Sequence, residues 1–186
     1  MASEHIYKQY DSDLEAIRAK VLEMGTLVEE QTSNAIQSLL ETDVKLAEKV
    51  IKKDEQINDL EVLIDEEASL LIAKRSPAAG DLRNIMMMLK IITDLERMGD
   101  EAAKIARSTT RIFENNRMSK SKFNEIKGMA KAVQEMIKTA LNSFARLDLT
   151  DTIDILEKDK QVDDDYRSTM RELLTFMLED PRTISM

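Results

Sequence analysis

Two carboxylates fall where an apolar side chain belongs. From Asp81 the chain runs Asp81-Leu82-Arg83-Asn84-Ile85-Met86-Met87-Met88-Leu89-Lys90-Ile91-Ile92-Thr93-Asp94-Leu95-Glu96-Arg97-Met98-Gly99-Asp100. On a helix, Leu82, Ile85, Leu89 and Ile92 share one stripe, and Glu96, Asp100 and Ala103 continue it. Arg83, Lys90, Asp94, Arg97 and Glu101 lie on another arc. Met87, Ile91, Leu95, Met98 and Ile105 form a second apolar stripe, so the spacing predicts a helix buried from two sides. Ionised carboxylates in such a place are costly unless paired, hydrogen-bonded or bound to a metal. Acids recur on an apolar face further upstream. Asp54, Glu61 and Asp65 fall inside the stripe Ala47, Val50, Ile57, Ile64, Ala68, Ile72, with Asn58 at its margin. Two chemistries compete for them: salt bridges, with Arg75, Arg83 and Arg97 as local cations, or coordination of a metal ion by oxygen. With no cysteine and a single histidine, His5, in a segment expected to fray, oxygen ligation favours Mg²⁺, Mn²⁺ or iron over a closed zinc site. Carboxylates can also bridge several ions.

The elements that must position these acids are long helices. A first helix is expected to start near Asp11-Ser12-Asp13, where Ser or Asp can cap the free amides, and to keep an apolar stripe to about Leu40. Its stripe reads Leu14, Ile17, Val21, Met24, Val28, Thr32, Ala35, Ile36, Leu39. A break at Thr42-Asp43 starts the second helix, and Ser76-Pro77-Ala78-Ala79-Gly80-Asp81 ends it and caps the third. The third runs to about Glu114, before the turn signal Asn115-Asn116; a fourth covers about Ser121 to Leu147 and a fifth about Thr150 to Leu178. Asp180-Pro181 repeats the kind of break seen at Pro77. The Ser76–Gly80 stretch lacks the glycine spacing and Lys-Ser/Thr of a phosphate loop and reads as helix punctuation. The Met86-Met87-Met88 run reads as adaptable core.

Composition agrees. The 186 residues include 4 Gly, 2 Pro and 4% aromatics against 34% charged residues, a profile of long helices in a single domain. A net charge of −9 argues against nucleic acid or an anionic membrane surface as the main partner. Met1 to Asp13 has no apolar signal region, and no run approaches the roughly 20 apolar residues of a membrane span. A cytoplasmic protein without membrane insertion is expected.

Shifting the chain by 105 residues exposes an internal repeat. Met24 meets Met129, Glu30 meets Glu135, Ser38 meets Ser143, Asp43 meets Asp148, Lys53 meets Lys158, Asp54 meets Asp159, Gln56 meets Gln161, Asp59 meets Asp164 and Glu67 meets Glu172. Helical periodicity aligns apolar classes, but not so many polar identities. Two copies of a three-helix unit are read, repeat one over about 11–116 and an incomplete repeat two over about 117–186, because the counterpart of Asp94–Asp100 would fall beyond residue 186. An all-α bundle of five long helices follows. The fourth and fifth helices are expected to present a groove lined by Met129, Val133, Ala140, Leu141, Val162, Tyr166, Met170, Leu173 and Met177, filled by an absent helix or by a second copy of the chain, a homodimer.

With the repeat in hand, the chain resembles the PhoU family of bacterial phosphate-signalling regulators, in its proteobacterial form. The residues that carry the likeness are Met24-Gly25 with Val28-Glu29-Glu30-Gln31, Asp54 with Asn58, Glu61 and Ile64-Asp65-Glu66, then Ala73-Lys74-Arg75-Ser76-Pro77 and Asp81-Leu82-Arg83. The most specific element is Leu95-Glu96-Arg97-Met98-Gly99-Asp100. In the second half the likeness rests on Phe144-Ala145-Arg146-Leu147-Asp148, Asp159-Lys160-Gln161-Val162-Asp163 and Glu179-Asp180-Pro181-Arg182-Thr183-Ile184. The resemblance implies a PhoU-like bundle of two three-helix repeats without enzymatic turnover. It implies metal binding (Mg, Mn, Fe or Zn) through acidic motifs, which map onto Glu96 and Asp100 in the third helix and onto Asp54 with Asn58 in the second. Asp159 and Asp163 match the partner motif of repeat two, whose own Glu/Asp pair is missing. It further implies partners: the ATPase subunit of the phosphate ABC transporter and the PhoR sensor histidine kinase, whose signalling the family holds off when phosphate is plentiful. Two other classes stand beside this reading. A ferritin-like redox enzyme wants Glu-x-x-His on bundle helices, where this chain has no histidine. A purely structural bundle leaves Asp54, Glu61, Glu96 and Asp100 unexplained.

Overall fold

The computed structural model describes residues 2–114 and 123–179, so the turn signal at Asn115-Asn116, the helix start at Ser121 and the break at Asp180-Pro181 lie outside the described residues. Five helices follow one another: α1 (Ala2–Glu41), α2 (Val44–Arg75), α3 (Ala79–Glu114), α4 (Phe123–Arg146) and α5 (Thr152–Glu179). The first three pack pairwise against one another; α4 lies on α1, and α5 lies on α4.

The expected start of α1 near Asp11 is corrected. The helix begins at Ala2 and takes in His5. Residues 2–10 contain no Gly or Pro to stop it, and Tyr10, one turn before Leu14, is buried and extends the same apolar stripe backward. The second helix starts as expected: Asp43 is its N-cap, its carboxylate accepting from the Leu46 amide at 3.0 Å. Ser76 closes it in the left-handed conformation, φ 45°, with its amide donating to Ile72 O. At the start of α3 the apolar stripe is partly turned out: Leu82, Met86 and Met87 are exposed while Ile85 and Met88 are buried, so the methionine run is core at one position in three. Asp65, expected within the α2 stripe, is also exposed.

The three-helix core has two parts. Large side chains (Ile17, Val21, Met24, Val28, Ile57, Ile64, Ile85, Met88, Ile92, Leu95) fill one. The other is a narrow seam of Ala35, Ala47, Val50, Ala102 and Ala106, where small residues let the helices close up. Burying a Leu- or Ile-sized side chain contributes about 1.5–3 kcal/mol, so the first cluster holds most of the stability.

The 105-residue register has counterparts in the geometry. Lys53 Nζ donates to Glu30 across α1 and α2 at 2.7 Å, and Lys158 Nζ donates to Glu135 across α4 and α5 at 2.6 Å. Asp43 N reaches Ser38 O at 2.9 Å and Asp148 N reaches Ser143 O at 3.0 Å. Thr42 and Leu147 occupy equivalent left-handed positions, φ 58° and 52°. The two hairpins are therefore built alike, but α4 faces a different neighbour from the one its groove role required. Leu141 is turned onto Gly25 of α1, where a Cβ would lie 2.2 Å from Leu141 Cδ2, so only glycine admits it without a shift. Val133 and Ile137 line a shallow cavity with Met98 and Ile105 of α3, and Ala140 is exposed. Of the remaining groove residues, Tyr166 and Met170 are exposed and Met129, Val162, Leu173 and Met177 half-buried. Arg18 fastens the joint: its Nη2 donates to Phe144 O and Ala145 O, at 2.9 and 2.7 Å, and its guanidinium lies 5.6 Å from the Phe144 ring centroid.

Candidate functional site

Between the large-residue core and the alanine seam lies one polar layer, built from one position on each of the first three helices. On α1, Gln31 sits between Val28 and Ala35; on α2, Asp54 between Val50 and Ile57; on α3, Gly99 between Leu95 and Ala102. Gln31 is 1% exposed and Asp54 9%. Gln31 Nε2 donates to Asp54 Oδ1 at 2.9 Å and to Val50 O at 3.3 Å. Its Oε1 is buried without a hydrogen-bond partner. Gly99 makes room for this: a Cβ there would stand 3.1 Å from Gln31 Oε1 and 3.4 Å from Asp54 Oδ1.

Around that layer the expected acids converge. Glu96 and Asp100 flank Gly99 on α3 and are half-buried, as is Glu61 on α2. The Glu96 carboxyl is held above its ordinary value, first by burial and then by the charges of Asp100, Glu61 and Asp54; Arg97 acts weakly the other way. Thr93 Oγ1 lies 3.4 Å from Glu61 Oε1. Among the described residues none of Asp54, Glu61, Glu96 and Asp100 forms a salt bridge. The cations named as rivals go elsewhere: Arg75 pairs with Asp13 at 3.5 Å, and Arg83 and Arg97 are exposed. Asn58 is exposed. The acids form an open face, since among the described residues no three His, Cys, Asp or Glu side chains are gathered into a ready coordination group.

Repeat two differs. Asp159 and Asp163 are exposed on α5, and Asp163 pairs with Arg167 at 3.2 Å. Met136 stands where Gln31 stands in repeat one. Sequence reasoning passed over Gln31 and the role of Gly99. The signal was present: Gln31 lies in step with Val28 and Ala35, a polar residue on a fully apolar stripe, as Asp54 is on α2.

The PhoU domain model matches residues 21–109 and 126–185, two segments whose starting positions differ by the same 105 residues as the internal repeat. The chain belongs to the PhoU family. It is 42% identical to the phosphate-specific transport system accessory protein PhoU homolog of Pseudomonas aeruginosa over 97% of this chain and 74% of that protein. It is 39% identical to the phosphate-specific transport system accessory protein PhoU of Escherichia coli, over 98% and 75%. The crystal structure of PhoU from Pseudomonas aeruginosa superposes with a TM-score of 0.90 at 42% identity, covering 95% of this chain and 84% of that one. PhoU from Streptococcus pneumoniae, a phosphate transport system regulatory protein, gives 0.83 at 30% identity, over 92% and 80%. PhoU relatives are thus named as accessory and regulatory proteins of phosphate transport, and the all-α bundle is theirs.

Proposed function

We propose that this chain is a cytoplasmic accessory protein of phosphate-specific transport, an adaptor without turnover of its own, which binds metal at the Asp54–Glu61–Glu96–Asp100 face. In this reading it contacts the ATPase subunit of the phosphate ABC transporter and the PhoR sensor histidine kinase and restrains phosphate signalling. Family membership supports the transport role. The observation that carries the metal reading is the placing of Asp54, Glu61 and Asp100 near enough to a partly buried Glu96 to act on its charge, while among the described residues none of the four forms a salt bridge. The donor set suits hard cations, Mg²⁺, Mn²⁺ or iron, with zinc as a further ligand of carboxylates. Asp54, Glu61, Glu96 and Asp100 would hold the ion, Asn58 standing at the margin and Asp159 with Asp163 forming a weaker, exposed half-site. A bound cation would neutralise the mutual repulsion of these acids and tie α2 to α3. Because the acids are half-buried rather than gathered, Glu61 and Glu96 are the side chains that would turn to reach it. Among the described residues no helix is long and apolar enough to cross a membrane, and the acidic net charge weighs against nucleic acid. A homodimer completes the proposal; the apolar side chains Leu156, Tyr166, Met170 and Leu174 that stand out on α5 are a face for a second copy or for the third helix of repeat two.

Metal analysis of the purified chain before and after chelation, alongside binding measurements with the transporter ATPase and the PhoR kinase, tests the reading. Stoichiometric metal lost in Asp100→Asn and binding to at least one partner are expected. A chain that takes up no metal and ignores both partners would overturn it. Sedimentation equilibrium tests the dimer, which Tyr166→Glu should dissociate.

A further inference from the structure

Gln31 has no solvent contact to satisfy, no charge and no place in the acidic motifs, yet it occupies the centre of the core. Its orientation is dictated by its neighbours. Val50 O and Asp54 Oδ1 are both acceptors, so the nitrogen of the carboxamide must face them and the oxygen must face away. The donation to Asp54 Oδ1 ties that carboxylate to α1, and the same oxygen stands 3.4 Å from where a Cβ on Gly99 of α3 would lie. Gln31 Oε1 is left as a buried acceptor without a donor, beside Gly99, which lies between Glu96 and Asp100 in sequence. An acceptor stripped of water costs about 1–3 kcal/mol unless something fills its need, and the two groups that can do so are a water molecule and a cation.

We infer that Gln31 is the positioning residue of the first acidic face: by its bond to Oδ1 it holds the Asp54 carboxylate beside α3, so that this group is offered together with Glu96 and Asp100 to a hard divalent cation. The inference rests on the metal reading above and adds to it an asymmetry between the repeats. The Glu30–Lys53 and Glu135–Lys158 pairs show that the two hairpins share one frame. Within it, Met136 replaces the carboxamide and lies along a cavity with Ile155 and Lys158, so the hydrogen bond that Gln31 gives Asp54 has no counterpart from Met136 to Asp159. An outer partner that orients a ligating carboxylate typically changes metal affinity 10–100-fold. Gln31 is therefore expected to tighten the face of repeat one.

The test is a titration of the chelator-stripped 186-residue chain with Mn²⁺, read by calorimetry and by the electron paramagnetic resonance of the free ion. Gln31→Met copies the residue of repeat two with a side chain of similar volume, and Gln37→Met, an exposed α1 glutamine bonded to Glu41, is the control. The wild type and Gln37→Met should share one tight class of sites, and Gln31→Met should weaken it by about 10–100-fold with helicity retained. Should Gln31→Met fail to fold, Gln31→Ala serves in its place. A purely structural role would lower the melting temperature of the metal-free variant and leave its Mn²⁺ affinity unchanged, which would overturn the inference while the metal reading stands. No Mn²⁺ binding by the wild type would remove both.

Discussion

Replacing Gly99 by alanine adds one methyl group to the polar layer at its tightest point. In an exposed helix the change would stabilise by about 1 kcal/mol, because glycine is a poor helix former. Here the new Cβ would meet Gln31 Oε1 and Ile57 Cδ1, each at 3.1 Å, and Asp54 Oδ1 at 3.4 Å. Ile57 Cδ1 is the end of a flexible side chain and can turn. The carboxamide cannot retreat without lengthening its bonds to Val50 O and Asp54, each contributing about 1 kcal/mol net. Overpacking a filled core costs about 1–3 kcal/mol, which outweighs the gain in propensity. Gly99→Ala should therefore destabilise the metal-free protein by up to about 2 kcal/mol, or up to about 8 °C in melting temperature for a chain of this size. Urea unfolding of chelator-treated protein measures it. Ile57→Val, which removes Cδ1, should cost less in the Gly99→Ala background than in the wild type. A Gly99→Ala protein as stable as the wild type, or more so, would mean that the layer has slack and that the glycine is not there for close approach.

Three further outcomes follow from the same geometry. Because the folded Glu96 pKa lies above its ordinary value, the folded chain holds that proton more tightly than the unfolded one. The contribution is fully present in acid below the ordinary glutamate range and is lost as pH rises through the raised value, so Glu96→Gln should stabilise the metal-free chain at neutral pH and lose its advantage in acid; equal stability curves across that range would refute it. At the joint between the hairpins, Gly25→Ala should destabilise by about 1–3 kcal/mol, and Leu141→Ala, by clearing the space the new methyl needs, should make the two changes less than additive in a double-mutant cycle. Arg18→Ala removes two charge-assisted bonds to the last carbonyls of α4 and should cost about 1–2 kcal/mol, with faster amide exchange confined to α4 and α5 as its signature.

The helices, their order and the breaks at Thr42-Asp43 and Ser76–Gly80 were legible because each is written in local chemistry: a period near 3.6, a capping aspartate, a proline. The start of α1 was not, since Ser12 and Asp13 have the types of a cap whether or not the helix runs through them. Only the burial of Tyr10, a tertiary fact, decides. The acids were legible as polar letters in apolar stripes, and the charges of Asp54, Glu61 and Asp100 reach Glu96, although among the described residues no three of them gather into a coordination group. Gln31 obeyed the same rule and escaped notice because an uncharged amide draws less attention than a carboxylate. The facing of α4 was beyond the repeat register. That register predicts how α4 pairs with α5, but the choice of Leu141 to enter the notch at Gly25 depends on which helix of the other repeat stands alongside.

A repeated frame lets two helix hairpins fold alike while single interior positions differ. The frame is held by features that do not touch a ligand: the Glu–Lys pair across each hairpin and the left-handed residue that ends the first helix of each. The hairpins diverge at one level, where repeat one buries Gln31 and Asp54 beside Gly99 and Met136 of repeat two takes the place of Gln31. A polar layer inside a packed bundle is weaker than an apolar one until all its groups are satisfied. In repeat one that layer still holds a buried Gln31 Oε1 without a hydrogen-bond partner. Arg18 and Gly25 couple α1, which carries Gln31, directly to α4. A change in how α1 sits on α2 and α3 has a rigid route to the second hairpin, and α5, which meets only α4 among the described residues, moves with it.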